Sequence, residues 1–315
     1  SARIILDKGY QLVVVDGGSS DSFLESLIRL DSLDASLAST QGHMIYESSR
    51  LKIVKQKNPD SGIGEATKET LEYAYDLGSP FVVLMELEKT DVSKNLDLLI
   101  NELSRGYDVA IPDRQLKEQF TGLTEKQLEF EIHGNYEFED YFNDYFDIYN
   151  GTRVMKREMV TYFLEHDFEK YGPLWEILFS PLLKAFIDHK KFVSVPIQFK
   201  YGEEMIAIEY LRENEFTLKR IIQNFAVSIS AKRQYYDHFN ELYSKTEAND
   251  KRLLRFNHPL LGLLFNDQRR IRAFDEWNYD DGTPIYQGDK VTKQTFIQLK
   301  YDKWLSYYFP KTFNL

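Results

Sequence analysis

Gln11-Leu12-Val13-Val14-Val15-Asp16-Gly17-Gly18-Ser19-Ser20-Asp21 decides how this chain is read. A β-branched run ends in an acid, two glycines and a Ser-Ser-Asp ahead of an apolar periodic segment. That order predicts a buried parallel strand, a tight turn and a helix beginning near Phe23. Open α/β sheets bind ligands at such strand ends. Asp16, at the carboxyl end of the strand, reads equally as a turn former or a ligand contact. Asp21 reads first as a helix cap, because Ser and Asp before a helix satisfy its free amides. Residues 1–10 look like the tail of a helix that would normally follow a strand, so a first strand is expected to be missing from this numbering.

Outward from this stretch, strand and helix alternate. Strands are predicted at 51–56, 80–85 and 107–111, and helices at 64–77 and 92–105. Helices of ten to fifteen residues between strands imply a mostly parallel sheet with right-handed crossovers. From Pro112 the rhythm changes. Residues 124–146 read as helix and loop over the sheet, with Tyr136, Phe138, Tyr141, Phe142, Tyr145 and Phe146 on one face, favouring packing over a sugar platform. A turn at 150–152 leads into a short strand, 157–165 and 172–189 read as helices, and Pro196 places the strand at 192–199 on an edge. A long helical pattern covers 215–245, and residues 252–315 are aromatic-rich and irregular, with Trp277, Tyr279, Tyr286, Trp304, Tyr307 and Tyr308. The expected organisation is a catalytic-type domain over 1–205 and a helical, aromatic-rich extension over 206–315.

Composition narrows the function classes. The 315-residue chain is 43% hydrophobic, enough for a full core. Its net charge of −11 argues against nucleic acid as the main partner. There is no cysteine, so disulfides and thiolate metal sites are excluded. No apolar run approaches a membrane span, and a cytoplasmic location is expected.

Three further stretches carry candidate chemistry. Asn58-Pro59-Asp60-Ser61-Gly62-Ile63-Gly64-Glu65-Ala66 joins a strand to a helix, and Lys68 follows one turn later. Amides at a helix start beside a lysine suit a diphosphate, although an ordinary strand-to-helix turn has the same sequence. Met85-Glu86-Leu87-Glu88 follows a strand, and two acids two residues apart point the same way when extended. Hard divalent cations such as Mg²⁺ or Mn²⁺ take such oxygen ligands; a solvated acidic loop is the plain alternative. Arg114, after Asp113, reads better as a salt-bridged residue than as a phosphate ligand.

Together with Asn150-Gly151-Thr152-Arg153-Val154-Met155-Lys156-Arg157-Glu158, these motifs occur in the order of family 2-type nucleotide-sugar glycosyltransferases. The chain resembles that family over roughly residues 1–200. The resemblance implies a GT-A, Rossmann-like, mostly parallel sheet flanked by helices, with a C-terminal helical extension. It implies that Asp16 contacts the base or ribose of a UDP- or GDP-linked sugar, with Ser19 and Asp21 shaping the pocket and Gly62, Gly64 and Lys68 near the diphosphate. Glu86 and Glu88 take the place of the family's metal-binding Asp-x-Asp, so a divalent cation is expected. Gly151, Thr152 and Arg153 resemble the segment that lines the sugar and acceptor side, and the resemblance implies the same place for Trp175. Tyr171-Gly172-Pro173-Leu174-Trp175-Glu176 resembles the segment that supplies the catalytic base, which makes Glu176 the candidate; a helix-opening acid is the plain reading.

The sequence departs from the pattern in two places. Glu86 and Glu88 are each a methylene longer than Asp, and no histidine follows the strand at 192–199; His189 precedes it and His258 lies far beyond. The expected reaction moves a sugar to a small polar, saccharide or lipid-linked acceptor. An inverting course uses Glu176 as base; a retaining one needs none, and similarity to mannosylglycerate-type synthases permits it. A homo-oligomer is compatible. A catalytically silent nucleotide-sugar-binding or scaffold protein of the same fold is the competing reading. A nucleotidyltransferase would want a glycine-rich basic loop that is not seen.

Overall fold

The computed structural model describes residues 1–19, 21–31, 43–59, 62–115 and 144–202. It also describes isolated helical positions between 128 and 142 and between 223 and 237, and the backbone of two two-residue strands. The chain divides into two compact units, Ser1–His238 and Phe239–Leu315. In the second, β8 (Ile285–Tyr286) pairs antiparallel with β9 (Asp289–Lys290). The boundary expected at 205 lies outside the described residues, as do His258, Trp277, Tyr279, Trp304, Tyr307, Tyr308, Tyr136 and Tyr141. The helix expected over 215–245 is described only at isolated positions, which are helical.

In the first unit, α1 (Ala2–Asp7) leads into β1 (Leu12–Asp16), and α2 (Asp21–Asp31) carries the chain to a hairpin of β2 (Met44–Glu47) and β3 (Leu51–Lys55). β1 lies parallel to β3, with Leu12 opposite Leu51 and Asp16 opposite Lys55. β2, absent from the sequence reading, runs antiparallel to β3 and covers its other edge. Its turn is set by Ser48, whose hydroxyl accepts from the Arg50 and Leu51 amides. Asp31, at the end of α2, ties it down by accepting from Tyr46 and pairing with Arg50 at 2.9 Å.

After α3 (Ile63–Asp76) comes β4 (Phe81–Leu84), then α4 (Thr90–Lys94), α5 (Leu96–Ser104) and β5 (Val109–Asp113). The strand β6 (Arg153–Lys156) inserts between β4 and β5 and is antiparallel to both, while β7 (Phe192–Pro196) lies parallel to β5 at the sheet edge. Pro196, lacking an amide hydrogen, ends that edge strand. The architecture is therefore mixed α/β, where a mostly parallel sheet was expected. The helix crossover does make β4 and β5 run the same way. The difference is β6, which enters from a turn more than thirty residues on and leaves no period that marks its direction.

Helix spacing explains what is buried. Leu96, Leu99 and Leu103 of α5 recur at three- and four-residue intervals and are covered. They pack in one core with Ile28 of α2 and with Leu51, Ile53, Ala110 and Val154, drawn from both sheets. The helix expected over 92–105 is broken at Asn95, whose amide side chain donates to the Asp91 carbonyl at 2.8 Å. The one expected over 172–189 is a 3-10 turn at Trp175–Leu178 followed by α8 (Ser180–Ile187), with α6 (Val160–Leu164) and α7 (Phe168–Tyr171) before it. Phe138, Phe142 and Phe146 are buried, and Phe142 stacks at 5.0 and 5.5 Å from Phe186 and Phe192. These three members of the expected aromatic face are packing residues.

Beyond β5, Arg114 is fully buried. Its guanidinium meets Asp147 at 2.7 Å through two nitrogens, Glu131 at 2.6 Å and the Tyr201 hydroxyl at 2.6 Å. Asn135 donates to the same Asp147 at 2.9 Å and accepts from the Tyr149 amide. Burial opposes the charge on Asp147, but Arg114 outweighs it and holds the carboxyl below the usual range. Its stabilisation is present above the ordinary carboxylate range and is lost as pH falls through the lowered value. Asp147→Ala strands a buried guanidinium and should cost roughly 3 to 5 kcal/mol, read as a lower urea midpoint at pH 7 with a smaller deficit in acid.

Candidate functional site

β1 ends where Asp16, 6% exposed, accepts from the amides of Gly18 and Ser19 at 3.0 to 3.2 Å. Its carboxylate forms the turn. Ser19 is exposed, and Asp21 is the first residue of α2. The Asp16 carbonyl accepts from the Gln56 amide at 2.9 Å, and the Gln56 side chain donates to Asn58 and Gly62 carbonyls. Gln56, buried at the exit of β3, escaped the sequence reading because a glutamine after a strand carries no signature.

Gly62 and Gly64 are required by close packing. Gly62 has φ +83°, and a Cβ there would lie 2.7 Å from Leu174 Cδ2. A Cβ on Gly64 would lie 1.9 Å from the Pro173 carbonyl oxygen. The Gly64 side of the first turn of α3 is therefore covered by Pro173-Leu174. The Lys68 ammonium lies 5.2 Å over the Phe168 ring. Gly64→Ala must push a backbone carbonyl away and should lower stability by at least roughly 1 to 3 kcal/mol in urea unfolding.

Leu174, against Gly62, donates its amide to Glu176 Oε2 at 2.9 Å. Glu176 has no exposure, and its Oε1 has no partner. Burial pushes its carboxyl up to about 7, against the pull of backbone amides. Trp175, half-buried, opens the 3-10 turn. That turn ends at Leu178, whose carbonyl accepts from Arg153 at 3.1 Å.

Arg153 is fully buried, and its guanidinium donates only to the carbonyls of Ile148, Thr152 and Leu178, with Nε unpartnered. Burial draws it down to about 9, partly offset by Asp147. It ties the 148–153 turn to the 175–178 segment. Thr152 is buried with its hydroxyl unpartnered. Arg153 pairs with Leu84 across β6 and β4, which brings the turn beside the 86–89 loop.

In that loop Glu86 and Glu88 are exposed and hydrogen-bonded to each other. Partial shielding of its carboxyl and the charge of Glu86 raise Glu88 above the ordinary range. Lys89, missed by the sequence reading, is 4% exposed; its ammonium pairs with Glu86 at 2.5 Å and donates to the Asn150 carbonyl. Gly151, φ +79°, lies against both. A lysine beside two acids reads as solvated charge, so nothing in sequence marks it as buried. Among the described residues no three His, Cys, Asp or Glu side chains form a group able to hold a metal. Mg²⁺ is held elsewhere by one or two carboxylates, so the pair alone does not decide the fit; the ammonium against Glu86 does, and as arranged the loop does not fit a divalent cation. Arg114 belongs to the buried network described above.

Contacts thus link Asp16 to Gln56, Gln56 to Gly62, Gly62 to Leu174 and Leu174 to Glu176, while Arg153 ties Leu178 to the 148–153 turn, whose Gly151 lies beside Glu86. No helix of the described residues is long and apolar enough to cross a membrane. No protein family, curated protein or solved structure matches the chain.

A raised carboxyl has a definite pH signature. Glu176 is ordinarily near 4.5 and here about 7, so the folded state holds a proton the unfolded chain releases. Its contribution is fully present below 4.5 and is lost as pH rises through about 7, a change on the order of 3 kcal/mol. Urea midpoints of Glu176→Gln against the unsubstituted protein should diverge across that window, the variant gaining towards pH 8.

Proposed function

We propose that this chain is a GT-A-like glycosyltransferase, moving a sugar from a UDP- or GDP-linked donor to an acceptor hydroxyl. The observation that carries the reading is the approach of five stretches, scattered from residue 16 to residue 176, near the ends of β1, β3 and β4: contacts join Asp16, Gly62 and Glu176, and Arg153 ties the 175–178 segment to the turn beside Glu86. The donor lies along the Asp16 to Gly62 end, and the acceptor enters beside Trp175. Glu176 is the base: its free Oε1 accepts the acceptor's O–H and takes the proton as the oxygen attacks the anomeric carbon and the nucleoside diphosphate departs. A carboxyl near 7 is matched to that task at neutral pH. Because Glu176 is covered, the 172–178 segment must move off α3 to admit the acceptor.

That complete burial also favours a second reading, a donor-binding protein of the same fold without turnover. Calorimetric titration with UDP and GDP, each with and without Mn²⁺, followed by transfer assays across UDP- and GDP-sugars, separates the two. The expected result is binding of one nucleotide, weakened in Asp16→Ala, and turnover reduced at least about 100-fold in Glu176→Gln with donor affinity unchanged. Binding without turnover establishes the second reading. If neither nucleotide binds, both are lost.

A further inference from the structure

The 86–89 loop brings two carboxyls to the exit of β4, and the sequence pattern there suggests a divalent cation. We infer that this loop carries its own cation, the Lys89 ammonium, and that Lys89 excludes a divalent metal from Glu86. The inference concerns the loop alone and stands apart from what the neighbouring surface binds.

Two groups close on the Lys89 ammonium. Lys89 is the residue before α4, its backbone fixed by the amide's bond to the Glu86 carbonyl at 3.2 Å. Glu86 closes on the ammonium from the same loop at 2.5 Å. The Asn150 carbonyl closes on it from the far turn. That carbonyl is held in place: the Asn150 side chain donates to Pro112 at 3.2 Å and accepts from Thr152, and Gly151 takes up the positive φ that ends the turn. A Cβ on Gly151 would stand 3.1 Å from the ammonium and 3.6 Å from Glu86 Oε2, so the glycine leaves room for this pair and little else.

The arrangement is chemically closed. A buried ammonium is tolerated only when paired and hydrogen-bonded, and here it has a carboxylate and a carbonyl. A divalent ion on the same Glu86 oxygen would stand within a few ångströms of a fixed positive charge. It would also have to break the bond between Glu86 and Glu88. Expelling Lys89 would leave the Asn150 carbonyl without its cationic donor. Lys89 therefore does what a metal does elsewhere, joining the acidic loop to the opposite turn, but with one charge and no open coordination position.

Replacing the ammonium by an uncharged chain of similar length should turn a non-metal site into a metal site. The test is titration of Mn²⁺, followed by water-proton relaxation, into the full chain, Lys89→Met, and Lys89→Met combined with Glu86→Gln. The expected result is no stoichiometric binding by the unsubstituted chain at millimolar Mn²⁺, at least an about tenfold gain in affinity in Lys89→Met, and loss of that gain in the double variant. One Mn²⁺ bound by the unsubstituted chain and lost on Glu86→Gln would overturn the inference, as would a folded Lys89→Met with no gain. Should Lys89→Met fail to fold, the ¹⁵N ammonium resonance of Lys89 decides: protected from exchange and unbroadened by Mn²⁺ in support, broadened through Glu86 against.

Discussion

Arg114 carries a permanent charge with no access to water, and much of the second sheet is arranged around that fact. Removing a guanidinium from water costs several kcal/mol unless its donors are met. No single segment meets them here. Asp147 supplies two contacts, Glu131 one and Tyr201 one, from stretches 17 to 87 residues away in sequence. The chain between β5 and β6 must therefore fold back over the end of β5. Once Asp147 is fixed, the 3-10 turn that follows it at Ile148–Asn150 is fixed too, and with it the carbonyl that Lys89 reaches. A structural charge network thus sets the position of one side of the candidate site.

The other side is set by packing without charge. The first turn of α3 approaches the Pro173-Leu174 backbone more closely than any side chain allows, so glycine at 64 is a condition of the contact. The same contact holds Leu174, whose amide is the hydrogen-bond donor to Glu176. Arg153 completes the frame by bonding carbonyls on both the 148–153 turn and Leu178. Charge on one side and close packing on the other meet at the 3-10 turn of Trp175–Leu178.

These causes explain what could be read in the sequence. The strand, turn and helix at 11–31 were legible because β-branched residues, paired glycines and an acid act locally. The α3 start was legible for the same reason, but the close packing of its glycines against Pro173-Leu174 was not. β2 and the antiparallel insertion of β6 were not legible, because strand order depends on partners far away in sequence. Lys89, Gln56 and the burial of Arg153 were hidden because a charged or amide side chain reads as exposed until its partners are known. The break at Phe179 inside an apolar run was hidden too, since apolar periodicity continues through it.

Polar satisfaction is uneven across the unit, and the unevenness has a direction. Arg114, fully buried, is met by two carboxylates and a hydroxyl. Arg153 has only carbonyls, and one of its nitrogens is unpartnered. Thr152 has no partner for its hydroxyl, and Glu176 has none for one carboxyl oxygen. An unmet buried donor or acceptor costs on the order of 1 to 3 kcal/mol. Three such atoms on 152–176 are difficult to account for as packing, since an apolar residue of similar shape would avoid the cost. Strain of this kind is retained where a group must exchange partners. Glu176 combines an unmet oxygen, a carboxyl held near neutrality and a covering segment packed on glycines, so it is where an added hydrogen-bond donor would offset the largest cost.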